Sequence, residues 1–174
     1  SDSLASVTFP DGLETMSIAS SAFHQHAFGG TNALTSVSFP VGLTTLTIGD
    51  GAFYQHAYGG SNTMTSVTFP NGLTQLTLGL RAFRQFAKGG GSNALSAVTF
   101  PGSLRTLTIG QEAFQQETVG SAALASVTFP DGLQDLALGS RAFYQGAGGT
   151  RTSQKPAVLA SVSFPGDLTS LSLG

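Results

Sequence analysis

One phrase of ten residues returns through almost the whole chain, and this repeat limits the possible folds more than any other feature. It reads LASVTFPDGL in the first copy and LTSVSFPVGL in the second. The copies begin at Leu4, Leu34, Met64, Leu95, Leu124 and Leu159. Self-similarity at a period of roughly 20 to 50 residues is the sequence signature of stacked repeats. The sequence therefore predicts a single repeat domain over 1–174, with its last unit truncated and a loop insertion at 148–158.

Each unit contains two short runs in which apolar and polar residues alternate. In the second unit, Val37 and Phe39 flank a serine, and Leu46 and Ile48 flank a threonine. Period-two alternation that is rich in Val, Ile, Thr and Phe is typical of half-buried strands. A Pro-x-Gly phrase or a close variant separates the two runs. It predicts a turn, because Pro lacks an N–H and Gly permits positive φ.

A third segment, GDGAFYQHAYGG at 49–60, completes the unit. We interpret it as a short helical turn, which Asp50 would cap and Gly59 would end in a left-handed conformation. Coils stacked at about 4.8 Å then produce parallel sheets. The predicted fold is a β-rich solenoid, a right-handed stack of coils of about 30 residues, with two parallel sheets and short helical turns.

Stacking places equivalent residues of successive coils above one another in ladders. One predicted structural ladder contains Phe9, Phe39, Phe69, Phe100, Phe129 and Phe164. A second contains Phe23, Phe53, Phe83, Phe114 and Phe143. Aromatic ladders of this kind are expected in a core. A glutamine ladder follows the second one at an offset of two residues, with members Gln25, Gln55, Gln85, Gln116 and Gln145. We expect these amides to satisfy loop backbone groups rather than to act in catalysis.

Composition excludes several classes of protein. Charged residues make up 9% of the chain and the net charge is −2, so no broad basic surface is available for nucleic acid. No run of about 20 mainly apolar residues is present, so no membrane span is expected. The absence of Cys excludes disulfides and thiolate sites. The scarcity of Cys and of charge favours an extracellular or cell-surface location, although the sequence leaves the compartment open.

The unit L-x-S-V-x-F-P-x-G-L-x-x-L-x-I-G-x-x-A-F-x-Q resembles the BspA-like class of leucine-rich repeat. That class has an L-x-x-I-x-I-P core followed by a G-x-x-A-F phrase, and the likeness spans 4–174. This sequence differs in its longer unit, in its phenylalanines at aliphatic positions, and in the glutamine where the class carries Cys. The resemblance implies a leucine-rich-repeat-like solenoid used for binding, adhesion or scaffolding, without enzyme activity.

A search for catalytic chemistry finds no candidate site. His24 and His26 form an H-x-H pair, and His56 repeats the position of His26 in the next coil. Two stacked imidazoles could share a metal ion, but the remaining coils do not repeat the motif and no acidic cluster completes it. No nucleophile elbow and no phosphate-binding loop is present. We therefore expect no catalytic residue, no metal site and no cofactor, and an enzyme is not predicted.

The polar positions of the strands form a regular array of hydroxyl groups. The predicted hydroxyl ladder contains Thr8, Ser38, Thr68, Thr99, Thr128, Ser163, Thr45, Thr47, Thr106 and Thr108. Thr and Ser are ordinary residues for exposed strand positions, so this array is compatible with a purely structural role. Regular Thr rows also resemble those of solenoid ice-binding proteins, which leaves ice binding as an alternative function.

The sequence favours a non-catalytic scaffold that binds a protein or glycan partner through an extended surface. Variable positions on the third segment are the candidate partner-binding residues. They are His24, Tyr54, Arg84, Gln115, Tyr144 and Arg141. A second hypothesis is an assembly subunit that stacks end to end with neighbouring repeats or chains, since no polar cap is evident and open sheet ends can pair. Self-association through these ends would then replace a separate partner.

Overall fold

The computed structural model describes residues 4–120, 122, 124–147 and 159–174, so the predicted loop insertion at 148–158 lies outside the described residues. The described chain forms seventeen short strands, and their pairing is parallel throughout. We number coils 1 to 6 by their opening residues, from Leu4 to Leu159. The predicted parallel β-solenoid with coils of about 30 residues is confirmed. The right-handed sense of the solenoid stays a prediction.

The first strand of each coil has three residues. These strands are β1 (Ser6–Thr8), β4 (Ser36–Ser38), β7 (Ser66–Thr68), β10 (Ala97–Thr99), β13 (Ser126–Thr128) and β16 (Ser161–Ser163). They form three separate pairs, β1–β4, β7–β10 and β13–β16, rather than the continuous sheet expected. A Phe-Pro pair follows each strand, and Pro cannot donate to a ladder, so each of these strands stops after three residues. Shallow grooves lie between β4 and β7 and between β10 and β13.

The second strand has four residues in every coil. These strands are β2 (Thr15–Ile18), β5 (Thr45–Ile48), β8 (Gln75–Leu78), β11 (Thr106–Ile109), β14 (Asp135–Leu138) and β17 (Ser170–Leu173). They form one continuous six-stranded sheet in the order β17-β14-β11-β8-β5-β2. Like residues lie side by side, as in the pairing of Leu46 with Met16 and with Leu76. This sheet is the parallel sheet that the sequence predicts from the second alternating run.

The third segment is a turn followed by a strand, so the predicted helical turn is wrong. The strands are β3 (Gln25–Phe28), β6 (Gln55–Tyr58), β9 (Gln85–Lys88), β12 (Gln116–Thr118) and β15 (Gln145–Ala147), and they form a five-stranded sheet. Gly51 has φ 60°, which breaks a helix before it can nucleate. Asp50 does not cap a helix, because its Oδ1 accepts the N–H of Leu80 in the next coil at 2.8 Å. Gly59 is left-handed, at φ 74°, but it ends a strand.

The core lies between the three sets of strands and contains both phenylalanine ladders. In the second ladder, ring centroids are 5.1 Å apart between Phe53 and Phe83 and 5.4 Å apart between Phe83 and Phe114, with nearly parallel planes. The first ladder meets it edge-on, as between Phe39 and Phe53 at 6.5 Å. Stacked and edge-on rings are the favoured arrangements for aromatic pairs. At the two ends of the first ladder, Phe9 is half-buried and Phe164 is exposed.

Successive coils approach most closely at the residue that follows the second strand. A Cβ atom on Gly49 would lie 2.6 Å from the backbone nitrogen of Ser20 in the preceding coil. A Cβ atom on Gly110 would lie 2.6 Å from the carbonyl carbon of Gly79 in coil 3. Gly79 and Gly139 are similarly confined. Only glycine fits a backbone approach of this kind. Coil 1 has Ala19 at the equivalent position, and this residue is exposed.

The described part of the chain contains no helix that is long and apolar enough to cross a lipid bilayer.

Candidate functional site

The five-stranded sheet presents one face to the core and the other to solvent, and its inner face is built on the glutamine ladder. Gln55 Nε2 donates to the carbonyl oxygen of Leu34 at 2.7 Å, and Gln55 Oε1 accepts the N–H of Met64 at 3.2 Å. Gln85 repeats the pattern on Met64 and Leu95. Each of these two amides therefore joins the opening residues of two successive coils, which strand hydrogen bonds do not reach.

A second amide ladder on this side was not anticipated from the sequence. Asn32 Nδ2 donates to Asn62 Oδ1 at 2.7 Å, and Asn62 Nδ2 donates to Asn93 Oδ1 at 2.7 Å. Asn93 ends the ladder on the carbonyl oxygens of Gln85 and Glu117. The signal in the sequence is an asparagine two residues before each opening residue in coils 2 to 4. Together the two amide ladders fix the spacing and the orientation of the third strands.

The outer face of this sheet carries a cluster of rings in coils 1 to 3, which we call the aromatic face. Its members are His24, His26, Phe28, Tyr54, His56, Tyr58 and Phe86. Outward residues of a strand alternate with inward ones, so the third strand brings them to one surface. Phe28 is 75% exposed. The alternation H-A-F, H-A-Y and F-A-K after each glutamine would have indicated this face, had the segment been interpreted as a strand.

The rings of the aromatic face form a continuous set of contacts along the coil axis. His26 and His56 stack with centroids 4.4 Å apart, and His24 stacks on Tyr54 at 4.8 Å. The ring centroid of Phe28 lies 4.4 Å from that of His26 and 5.8 Å from that of Tyr58. The distances that join neighbouring coils follow the spacing of adjacent strands, whereas His26 and Phe28 lie on the same face of one strand. The result is a ladder of rings whose edges and faces meet solvent.

Two cationic side chains of coil 3 lie over rings of the aromatic face. The guanidinium carbon of Arg84 is 5.5 Å from the Tyr54 ring centroid and 5.4 Å from that of Phe86. Lys88 Nζ is 5.2 Å from the Tyr58 centroid. These distances are within the range of cation–π attraction. Arg84 also pairs with Glu117 at 3.0 Å, and its side chain is only 12% exposed, so this ion pair holds the guanidinium against the two rings.

The surroundings shift the pKa values of several groups at or near this face. Burial lowers the pKa of His56 to about 4, and the neighbouring imidazoles of His26 and His24 add to the shift. Burial also raises the pKa of Tyr54. The pKa of Glu112 is lowered, because hydrogen bonds from Arg81 and Gln111 outweigh the opposing effect of burial. The imidazole of His56 is therefore neutral at pH 7, which is compatible with its stacked position.

The residues predicted to bind a partner lie in one column beside this face. His24, Tyr54, Arg84, Gln115 and Tyr144 directly precede the third strands of coils 1 to 5. Arg141 lies over Tyr144, with 5.9 Å between its guanidinium carbon and the ring centroid. Gln115 is 1% exposed and donates from Nε2 to Glu117 at 2.8 Å. His24 and Tyr144 are exposed, whereas Gln115 and Arg84 are held within the structure.

The hydroxyl ladder lies on the other two sets of strands. Its first-strand members are all exposed, whereas Thr45, Thr106 and Thr108 are half-buried. In the six-stranded sheet the threonine rows are interrupted, because Gln75 pairs with Thr45 and Ala137 pairs with Thr108. Other hydroxyl groups are used internally. For example, the Thr74 hydroxyl donates to the carbonyl oxygen of Thr44 at 3.0 Å. The array is regular in backbone register but mixed in its side chains.

The histidines stack instead of converging on a common point. Among the residues that the structure describes, no group of three or more His, Cys, Asp or Glu side chains is arranged to hold a metal ion. The buried Nε2 of His56 has no hydrogen-bond partner, and Phe86 packs edge-on against this ring at 4.8 Å. The arrangement provides an aromatic surface.

Comparison with known proteins identifies the repeat. Neither the search of curated proteins nor the search of solved structures gave a match. The family described as BspA type leucine rich repeat region matches residues 1–148 in six copies. Proteins with such repeats are generally non-enzymatic scaffolds, and leucine-rich repeats typically mediate protein interaction. The matched region covers most of the chain and has the strand and turn pattern described above, so the protein belongs to the BspA-type leucine-rich repeat family.

Proposed function

We propose that this protein is a non-catalytic repeat scaffold that binds an extended protein or glycan partner through the aromatic face. The observation that supports this function is the continuous cluster of seven rings over three coils, with Phe28 largely exposed. Exposed contiguous apolar surface is unusual on a protein that acts alone, and it marks interaction sites. The rest of the described surface has no comparable cluster of rings.

The face has properties that suit a weakly charged partner. Its rings are held by the amide ladders beneath, so little side-chain freedom is lost when a partner binds. The nearby charges largely compensate one another, since Arg81 and Arg84 pair with Glu112 and Glu117. Lys88 is an exposed cation at the border of the face. A sugar ring or an apolar side chain can stack on such rings without a desolvated charge opposite it.

The test compares variants of the aromatic face with variants of the hydroxyl ladder. Phe28→Ala and Tyr58→Ala remove exposed rings, and Thr47→Ala with Thr68→Ala are matched controls on the other strands. Binding is measured by calorimetry against soluble neutral polysaccharides and against extended apolar peptides. We expect each ring variant to raise Kd about tenfold, which corresponds to the loss of one aromatic contact. Equal losses in the controls would contradict the proposal.

Arg141 and Arg84 test the column of predicted partner-binding residues beside the aromatic face. Arg141→Glu reverses an exposed charge beside Tyr144 and breaks no ion pair among the described residues, so it should weaken binding while stability is retained. The corresponding Arg84→Glu change breaks the contacts to Glu112 and Glu117, and it should weaken both binding and stability. An unchanged Kd in both variants would exclude this column of residues from the interface. An extracellular or cell-surface location fits the low charge and forms part of the proposal.

Assembly by end-to-end stacking is the second candidate function. It is supported by β17 at one edge of the six-stranded sheet, where Leu171 and Leu173 are exposed. Light scattering over a wide range of protein concentration tests it. Assemblies that grow with concentration would support stacking, and a constant monomer mass would exclude it. Ice binding has weaker support, because Gln75 and Ala137 interrupt the threonine rows. Its test is thermal hysteresis of the purified protein.

A further inference from the structure

Coil 3 turns between its first and second strands through Asn71 and Gly72. Of the four asparagines in the chain, Asn71 alone is followed by glycine. The turn is closed by a hydrogen bond from the N–H of Leu73 to the carbonyl oxygen of Pro70 at 3.4 Å, and Gly72 has φ 102°. Asn71 is exposed and lines the groove between β4 and β7. Water therefore reaches both its side chain and the following peptide group.

We propose that Asn71 is a site of spontaneous deamidation and that Ser103 limits its rate. The backbone nitrogen of Gly72 loses its proton to hydroxide and attacks Cγ of Asn71. A bond from this nitrogen to Cγ forms while the bond from Cγ to Nδ2 breaks, and the leaving amino group takes a proton from water and departs as ammonia, which returns the hydroxide. Water then opens the resulting succinimide at one of its two carbonyl carbons. The products are aspartate and isoaspartate, and no other reagent is required.

Glycine after the asparagine makes this attack possible, because no Cβ atom hinders the approach of the backbone nitrogen. A Cβ on Gly72 would meet only the carbonyl oxygen of Leu43 within 4 Å, at 3.8 Å, so neighbouring coils do not crowd the Gly72 Cα. The remaining asparagines lack both a following glycine and exposure to solvent. Asn32, Asn62 and Asn93 are buried in their ladder and are followed by Ala, Thr and Ala. They are internal controls within the same chain.

Ser103 of the next coil restrains the nitrogen that must react. Its Oγ accepts the N–H of Gly72 at 3.1 Å and donates to the carbonyl oxygen of Leu73 at 2.8 Å. An N–H that is held in a hydrogen bond is harder to deprotonate, and the two bonds also oppose the rotation that brings Cγ to the nitrogen. Ser103 is thus a clamp on the turn rather than a participant in the reaction.

The two products affect the coil differently. Coils 1 and 5 carry Asp11 and Asp131 at the position of Asn71, so the aspartate form is compatible with the turn. The isoaspartate form routes the backbone through the side chain and adds a methylene group, which displaces Gly72 from Ser103. Deamidation therefore produces one form with an added negative charge at a native turn and a second form in which the clamp is broken.

The test follows each asparagine in the folded full-length protein by peptide mass spectrometry during incubation at mildly alkaline pH. We expect Asn71 to convert while Asn62 and Asn93 stay intact. Ser103→Ala should raise the rate at Asn71 about fivefold, the factor equivalent to the net free energy of one neutral hydrogen bond. The wild-type chain unfolded in urea loses the same clamp, so it should convert at least as fast as the folded variant.

Two results would overturn the inference. One is the absence of conversion at Asn71 while a synthetic peptide of the same turn sequence converts, because exposure in the fold would then not suffice. The other is an equal rate at Asn71 in the folded wild type, in the Ser103→Ala variant and in the urea-unfolded chain. Ser103→Thr, which keeps a hydroxyl group, is the conservative control and should keep the slow rate of the wild type.

Discussion

The glutamine ladder makes a quantitative prediction about stability. In Gln55→Met, an unbranched side chain of similar length replaces the amide but can neither donate nor accept. Gln55 is 0% exposed, so water cannot replace the lost partner. The carbonyl oxygen of Leu34 and the N–H of Met64 lose the bonds that the amide makes at 2.7 and 3.2 Å. Gln25 and Gln85 keep their bonds to the backbone of Leu34 and Met64.

The expected loss follows from one orphaned group and two lost bonds. The N–H of Met64 is left without a partner, which costs about 1–3 kcal/mol. The carbonyl oxygen of Leu34 keeps the Thr63 hydroxyl at 3.0 Å, and Gln85 Nε2 keeps the carbonyl oxygen of Met64 after its 2.9 Å bond to Gln55 Oε1 is lost, so each of these two groups loses about 1 kcal/mol. The extra apolar burial of Met offsets about 1 kcal/mol. We therefore expect Gln55→Met to lower the free energy of unfolding by about 3 kcal/mol. The matched control is Gln145→Met. Gln145 makes a 3.5 Å bond to the carbonyl oxygen of Phe143, and its Oε1 has no partner, so that change should stay within about 0.5 kcal/mol.

Urea unfolding followed by circular dichroism measures both variants. The comparison uses the shift of the midpoint at an unchanged m-value, because repeat proteins can unfold in parts. Hydrogen exchange at the amide of Met64 adds a local measurement, and it should accelerate in Gln55→Met. A loss below about 1 kcal/mol, or equal losses in the two variants, would refute the argument that these amides satisfy the loop backbone.

Three further predictions concern the backbone and pH. Ser21 has φ 59°, so Ser21→Gly should raise the free energy of unfolding by about 0.5 kcal/mol. Gly51→Ser should lower it by a similar amount. Thermal unfolding measures both variants, and the opposite signs would contradict the left-handed assignment. Gly110→Ala should cost about 3 kcal/mol because its methyl meets backbone atoms, whereas Gly102→Ala, with nothing within 4 Å, should be nearly neutral in urea unfolding. The fold lowers the pKa of His56 from 6.5 to about 4. Between these two pH values the unfolded chain binds more protons than the folded chain, so the free energy of unfolding should fall as pH falls from 6.5 to about 4. Allowing for solvent exposure, the loss is about 1 kcal/mol, and a His56→Gln variant that shows the same pH profile would show that another group is responsible.

Much of the fold could be predicted from the sequence, because identical chemistry recurs at a fixed period. In-register stacking then places Phe53 on Phe83 and Gln55 on Gln85 without further information. The hydrogen bonds of each glutamine could not be assigned in the same way. They depend on how far the amide reaches toward Leu34 and Met64, which is a property of the folded loop.

The third strand was missed because its local signals conflict. GDGAF contains turn residues and QHAY is only four residues long, so a helical turn and a strand were both compatible with the segment. Tertiary pairing with the neighbouring coils decides in favour of the strand. Without that strand, the alternation of His56 and Tyr58 does not indicate a shared face. Of the seven rings, only those of His24 and Tyr54 are among the predicted partner-binding residues.

The glycine that follows each second strand limits how the repeats can be exchanged. Coils 2 to 5 have glycine there, so a duplicated copy of any of them brings the required backbone space into its new position. Coil 1 brings Ala19, whose methyl group would lie where the backbone of a preceding coil runs in the rest of the stack. A copy of coil 1 placed among the others needs a change of Ala19 to glycine or a wider local spacing. Recombination can therefore lengthen this array by copying coils 2 to 5 in one step, whereas copying coil 1 takes two.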